Sequence, residues 1–150
     1  MQAAFDTPLG RLVLTEDGGA ITRLRWSEDE AAGAGSPLLA EAGAQLADYF
    51  AGRRTRFELP LALGQGFRGR FLQALCDIPF GETRRYGDLA AELGVSAQAI
   101  GQACGANPIP VIVPCHRVLG AQGLGGFSAP GGVETKVALL RLEGAAGLLI

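Results

Sequence analysis

The stretch Gly64-Gln65-Gly66 reads as a linker that divides this chain in two. Before it, short alternating runs flank one run of helical spacing. Leu12 and Leu14 alternate with polar neighbours, and Leu24 and Trp26 share a strand face two residues apart. Asp17-Gly18-Gly19 between them has the chemistry of a hairpin turn. Ser36-Pro37 reads as an N-cap followed by proline at the first helical position. Leu38, Leu39, Ala42, Leu46, Tyr49 and Phe50 then follow helical spacing until Gly52. Phe57, Leu59 and Leu61 alternate as one more strand, and Pro60 marks it as an edge. Residues 1–63 are therefore expected to form a small α/β domain.

Residues 64–150 read as a second, mainly helical domain. Phe67, Phe71, Leu72 and Leu75 form one apolar stripe, stopped near Pro79. A second helix is expected from about Asp88 to Leu93. Gly94 breaks it, and Ser96 can cap a third helix running to about Cys104. Helix, tight glycine turn, helix is the spacing of a helix-turn-helix unit, although any helical hairpin produces it too. A strand-like apolar run, Ile109 to Val113, then leads into Pro114-Cys115-His116-Arg117-Val118. A glycine-rich loop from Gly120 to Gly132 precedes a last helix with Val133, Val137 and Leu140 on one side, closing at Glu143-Gly144.

Composition narrows the function. Hydrophobic residues make up 48% of the chain and charged residues 19%, enough apolar surface for a real core and too little charge for disorder. The net charge of −2 argues against a general nucleic-acid coat. Seven of the thirteen basic residues nevertheless fall between Arg53 and Arg85, a run that reads equally as a basic face or as ordinary solvated surface. Three cysteines, Cys76, Cys104 and Cys115, without a CxxC pair or signal peptide, point to a reduced cytoplasmic protein. No apolar run reaches the roughly 18 residues of a membrane span. With His116 the single histidine, a Cys/His metal array lacks ligands.

Cys115 is the first candidate for chemistry. Pro114 before it withholds a backbone donor and forces the chain to turn. A buried structural cysteine is the common case. The neighbouring His116 opens another: a free thiol has a pKa of about 8.5, and an imidazole can draw off its proton. Adjacent residues tend to point apart, so a water bridge serves that pair better than direct contact. Glu143 is the second candidate. It is either a solvated helix-end carboxylate or the group that orients His116.

Here the residues carry a resemblance. Pro114-Cys115-His116-Arg117-Val118, preceded by Asn107-Pro108 and followed by Gly125-Gly126-Phe127-Ser128, resembles the methylated-DNA–protein-cysteine methyltransferases, also called 6-O-alkylguanine-DNA alkyltransferases. The likeness extends to Tyr86-Gly87-Asp88-Leu89-Ala90, to Leu139-Leu140-Arg141-Leu142-Glu143-Gly144 and, more weakly, to Thr7-Pro8-Leu9-Gly10. It implies a ribonuclease-H-like α/β half followed by a winged helix-turn-helix half. It implies that Cys115 accepts the alkyl group, that His116 acts as base through a water, and that Glu143 orients His116. Asn107 would brace the turn, and Tyr86 would contact the flipped nucleotide and help protonate the departing guanine. Val118, Ser128, Lys136 and Arg117 would serve the substrate pocket.

The partner so implied is double-stranded DNA carrying 6-O-alkylguanine, with 4-O-alkylthymine as a further candidate, bound by a monomer that needs no cofactor, metal or membrane. Members of the family commonly place an arginine on the recognition helix to fill the gap left by the flipped base; this chain has Gln98 there. Two other readings stay on the table. One is a lesion-binding protein that transfers nothing, although such relatives typically lack the cysteine. The other is a cysteine hydrolase.

Overall fold

The computed structural model describes residues 1–28, 35–120, 123–127 and 129–145. The chain divides into two compact units, Met1–Ala62 and Leu63–Ile150.

The described residues of the first unit form a three-stranded antiparallel sheet with one helix. Strands β1 (Gln2–Thr7), β2 (Gly10–Asp17) and β3 (Ala20–Trp26) pair in the order β1-β2-β3. Gly18 and Gly19 both take positive φ, 61° and 83°, which is the turn whose twist suits a two-residue hairpin. The register sets Leu14 opposite Leu24 and Leu12 opposite Trp26, so the alternating residues share a face. Helix α1 (Pro37–Phe50) starts where Ser36 Oγ accepts the Leu39 amide at 3.1 Å. It buries Leu39, Ala42, Leu46 and Tyr49 with Leu12, Val13, Leu14, Ile21 and Leu24 in the core of this unit. Each large side chain so buried contributes about 1.5–3 kcal/mol.

The strand expected over Phe57 to Leu61 does not form as an element. It touches the sheet at one parallel bridge, Ile21 with Leu61, where Pro60 offers a carbonyl to the Ile21 amide at 2.8 Å. Proline has no donor to extend the ladder. Gln45 takes over part of the pairing: its side chain donates to the Glu58 carbonyl at 3.2 Å and accepts the Glu58 amide at 2.9 Å.

The second unit holds helices α2 (Gly66–Cys76), α3 (Tyr86–Leu93), α4 (Ala97–Gly105) and α5 (Val133–Glu143). Gly94 ends α3 in the left-handed region, and Ser96 Oγ accepts the Ala99 amide at 3.1 Å to start α4. The two helices are thus joined by the tight turn that the sequence led one to expect. A two-residue strand, β4 (Arg84–Arg85), pairs in parallel with β5 (Val118–Leu119), tying the start of α3 to the chain just after Arg117.

Two expectations are corrected in this unit. Ile109–Val113 is a buried turn and not a strand: Val113 donates to the Ile109 carbonyl at 2.9 Å, and Val111 sits at φ 73°. Pro108 and Pro110 deny the donors a ladder needs, and a β-branched residue at positive φ is a strained conformation. On α5, Val133 is exposed and Val137 half-buried, whereas Thr135, Lys136, Leu139, Leu140 and Glu143 face inward. The inward stripe keeps helical spacing, but two of its members are charged.

Candidate functional site

Local geometry first explains why Cys115 is where it is. Asn107 clamps the turn before it, donating through Nδ2 to the Val113 carbonyl at 2.9 Å and accepting the Ile109 amide at 3.0 Å. Pro114, at φ −83° and ψ 67°, lets the Cys115 amide fold back onto the Val113 carbonyl at 2.8 Å, an inverse γ-turn. Cys115–Arg117 then makes one 3-10 turn, with the Arg117 amide on the Pro114 carbonyl. Every residue from Ile109 to Val118 is buried.

The thiol borders a cavity of about 300 Å³ lined by Tyr86, Gly101, Cys104, Gly105, Cys115, Gly126 and Phe127. Gly125 is fixed by close approach, since a Cβ there would stand 2.7 Å from Tyr86 Oη. Burial pushes the Cys115 thiol above its ordinary value, while a hydrogen bond from Asn107 and the Lys136 charge pull it back. Cys104 on the same cavity is pushed up to about 12, first by burial and then by Cys115. Tyr86 is raised by burial and by the two thiols.

The remaining expected residues fall on both sides of His116. Its Nε2 lies 2.8 Å from Glu143 Oε2, and both side chains are completely buried. Its Nδ1 has no hydrogen-bond partner among the described residues. Burial holds the imidazole below its usual pKa, as do Arg117 and Lys136; Glu143 opposes them. Glu143 itself, against the upward push of burial, is held at about 2 by hydrogen bonds from His116 and Arg117. The imidazole therefore rests neutral beside a carboxylate that stays ionised.

Lys136 is fully buried and donates through Nζ to the Val118 carbonyl at 2.7 Å and the Gly126 carbonyl at 3.3 Å, with the Tyr86 ring 5.8 Å away. It joins the helix, the strand after the cysteine turn and the loop that borders the cavity. Arg117, expected among the substrate contacts, is instead committed to protein. Nε donates to Glu143 Oε1 at 2.8 Å, Nη2 to Oε2 at 3.0 Å and Nη1 to the Ile78 carbonyl at 2.6 Å. Gln98 is exposed near the start of α4. Ser128 lies outside the described residues. Among the described residues no group of three His, Cys, Asp or Glu could hold a metal ion, and no helix is long and apolar enough to cross a membrane.

The sequence reading missed Gly101, Cys104 and Gly105 as cavity wall. Their spacing of three and four puts them on one face of α4, a signal present in the sequence but carried by small residues that suit many helices equally.

Fold and site together define a class: a small α/β unit followed by a helix-turn-helix unit with a buried cysteine, histidine and carboxylate beside a cavity. Residues 2–63 match the family described as 6-O-methylguanine DNA methyltransferase, ribonuclease-like domain, and residues 66–145 match its DNA binding domain. The chain belongs to the 6-O-methylguanine DNA methyltransferase family. It is 44% identical over 149 residues to a methylated-DNA–protein-cysteine methyltransferase of Mycobacterium tuberculosis, covering 93% of this chain and 89% of the relative. The constitutive methylated-DNA–protein-cysteine methyltransferase of Bacillus subtilis is 40% identical over 151 residues, with 92% of each chain covered. Among solved structures, Mycobacterium tuberculosis OGT in complex with DNA superposes with a TM-score of 0.83 at 43% identity, covering 95% of this chain and 92% of that one.

Proposed function

We propose that this chain repairs DNA by moving an alkyl group from 6-O-alkylguanine onto Cys115, in one irreversible turn. The observation that carries the reading is a thiol on the cavity wall followed in the chain by a buried imidazole whose Nε2 is fixed on Glu143 and whose Nδ1 has no partner among the described residues. Family membership supports it, as does the likeness to a relative solved in complex with DNA.

The chemistry is a displacement at carbon. The Cys115 proton passes to His116 Nδ1, through a bridging water, and the thiolate attacks the alkyl carbon. The carbon–sulfur bond forms as the carbon–oxygen bond breaks, and guanine leaves with the pair of electrons. Tyr86, on the cavity wall, is placed to protonate the departing base; the net proton moves from thiol to guanine. Burial that raises the thiol pKa also makes any thiolate formed a strong nucleophile. A thioether gives nothing back, so the protein is consumed.

The target base lies inside a duplex and must be turned out, at a cost of a few kcal/mol. The helix-turn-helix unit supplies the DNA-binding element, with Gln98 on α4 as the residue that enters the gap and Val118, Ser128 and Lys136 serving the guanine pocket. We take the protein to act as a monomer, in the cytoplasm, on alkylated duplex DNA. The test is intact mass after mixing with methylated-guanine duplex. Wild type gains one methyl, and Cys115→Ser gains none while still binding the duplex. Transfer by Cys115→Ser at the wild-type rate would overturn the reading.

A further inference from the structure

The buried charges around His116 contain one more cation than the proposed chemistry uses. Glu143 is a carboxylate with no exposed side-chain surface, and such a group needs a counter-charge. Two neighbours compete to supply it. His116 reaches Oε2 through Nε2, at 2.8 Å. Arg117 grips both oxygens with a parallel fork, Nε on Oε1 at 2.8 Å and Nη2 on Oε2 at 3.0 Å, and its Nη1 is pinned by the Ile78 carbonyl. A guanidinium keeps its proton at every accessible pH, and the two-pronged geometry is its strongest mode of carboxylate binding.

The consequence falls on the imidazole. If His116 were the counter-ion of Glu143 it would rest as imidazolium, with protons on both ring nitrogens, and Nδ1 could accept nothing. The groups that face it argue the other way. Glu143 and Lys136 reach it from α5, Arg117 from its own turn, and Cys115 precedes it in the chain. Burial opposes charge on the ring first, and the Arg117 and Lys136 cations add to it against the pull of Glu143.

We propose that Arg117 is a positioning residue for alkyl transfer: as the permanent counter-ion of Glu143, it keeps His116 neutral, protonated at Nε2, with Nδ1 free to take the thiol proton. This rests on the alkyl-transfer reading above. Its partner residues are the same, but its observable is the protonation state of one ring.

That ring can be watched alone, because His116 is the single histidine in the chain. In the full-length wild-type protein, imidazole ¹⁵N spectra should show the neutral Nε2–H form still dominant at the ordinary imidazole pKa, because burial lowers the ring's own. Arg117→Met removes the guanidinium and leaves Glu143 facing the ring. His116 should then titrate at least about one pH unit higher, and the transfer rate near pH 7 should fall about tenfold and recover as pH is raised. Arg117→Met/Glu143→Gln removes both buried charges together, which avoids a lone buried carboxylate should the single variant fold poorly. It should return His116 to the neutral form. An unchanged ¹⁵N titration and pH profile in Arg117→Met would overturn the proposal, as would a double variant in which His116 titrates as high as in the single. Failure of the alkyl-transfer reading shows separately, as wild-type Cys115 that gains no methyl from DNA.

Discussion

Both units bury apolar side chains, and the second buries ionisable ones as well. In Met1–Ala62 the buried set is Leu12, Val13, Leu14, Ile21, Leu24, Leu39, Ala42, Leu46 and Tyr49, with Gln45 as the polar exception. The second unit buries an apolar set too, Phe71, Leu72, Leu75, Leu89, Ile100, Val111 and Leu139 among it. It adds four ionisable residues, His116, Arg117, Lys136 and Glu143, of which His116 and Arg117 hydrogen-bond Glu143. The apolar burial is explained by transfer of apolar surface out of water. The ionisable set is not: apolar residues of equal volume would pack there at least as stably. On the function proposed above, the ionic core secures a defined protonation state and a fixed ring for the thiol, which the hairpin sheet has no need of.

Truncations matched for stability break the comparison most sharply. Leu46→Ala should cost about 2–5 kcal/mol, the usual range for an emptied leucine site. Glu143→Gln strands a buried guanidinium and should cost about 3–5 kcal/mol. Urea unfolding measures both. Single-turnover transfer per folded molecule should then separate them, with Leu46→Ala near wild type and Glu143→Gln slowed. Equal rates would make the ionic core a packing feature only.

Acid should find the second unit first. An unfolded chain takes protons on imidazole near pH 6.5 and on glutamate near pH 4.3. In the fold both pKa values lie lower, His116 by burial and Glu143 at about 2. Depressed values contribute stability above the unfolded pKa and lose it as pH falls, so the decline should begin below about pH 6.5 and steepen between about pH 4.5 and 2. Glu143→Gln should flatten the lower limb. Denaturant midpoints across that range check this; a wild-type stability constant from pH 7 to 3 would contradict it.

Much of this contrast was written in the sequence and some was not. The hairpin, α1 with its Ser36 cap and the α3–turn–α4 pair follow from period and capping, because local chemistry alone decides them. Strand β1 escaped notice because Gln2–Thr7 is largely half-buried and lacks a clean alternation. β4 and β5, two residues each, exist only through their pairing with one another. On α5 the apolar pattern named Val133, yet the buried face belongs to Lys136 and Glu143, whose place is set by partners far along the chain. Cys115, His116, Asn107, Tyr86 and Glu143 were legible as a motif, and the structure brings them together. For Arg117 the resemblance implied a place in the substrate pocket, whereas its acceptors, Glu143 and the Ile78 carbonyl, lie far along the chain and show only in the structure.

The smallest expected effect lies on the surface of α4. Gln98 is exposed, so Gln98→Arg should change stability by no more than about 0.5 kcal/mol. It adds one cation to the helix proposed to enter DNA, and should steepen the salt dependence of duplex binding by about one unit of slope. Gln98→Ala should slow transfer from duplex DNA and spare reaction with free 6-O-benzylguanine, which needs no flipping. Equal slowing of both would assign Gln98 to the pocket or the fold.

Counting methyl groups on each cysteine tests the central claim most directly. Wild-type protein is mixed with excess methylated-guanine duplex, without metal or nucleotide, and followed to completion by peptide mass spectrometry and by methyl removed from DNA. The account predicts a plateau at one methyl per molecule, all of it on Cys115, with Cys76 and Cys104 unmodified. Burial raises all three thiols, but only Cys115 adjoins a histidine. Continued turnover past one equivalent, or methyl on Cys76 or Cys104, would contradict it.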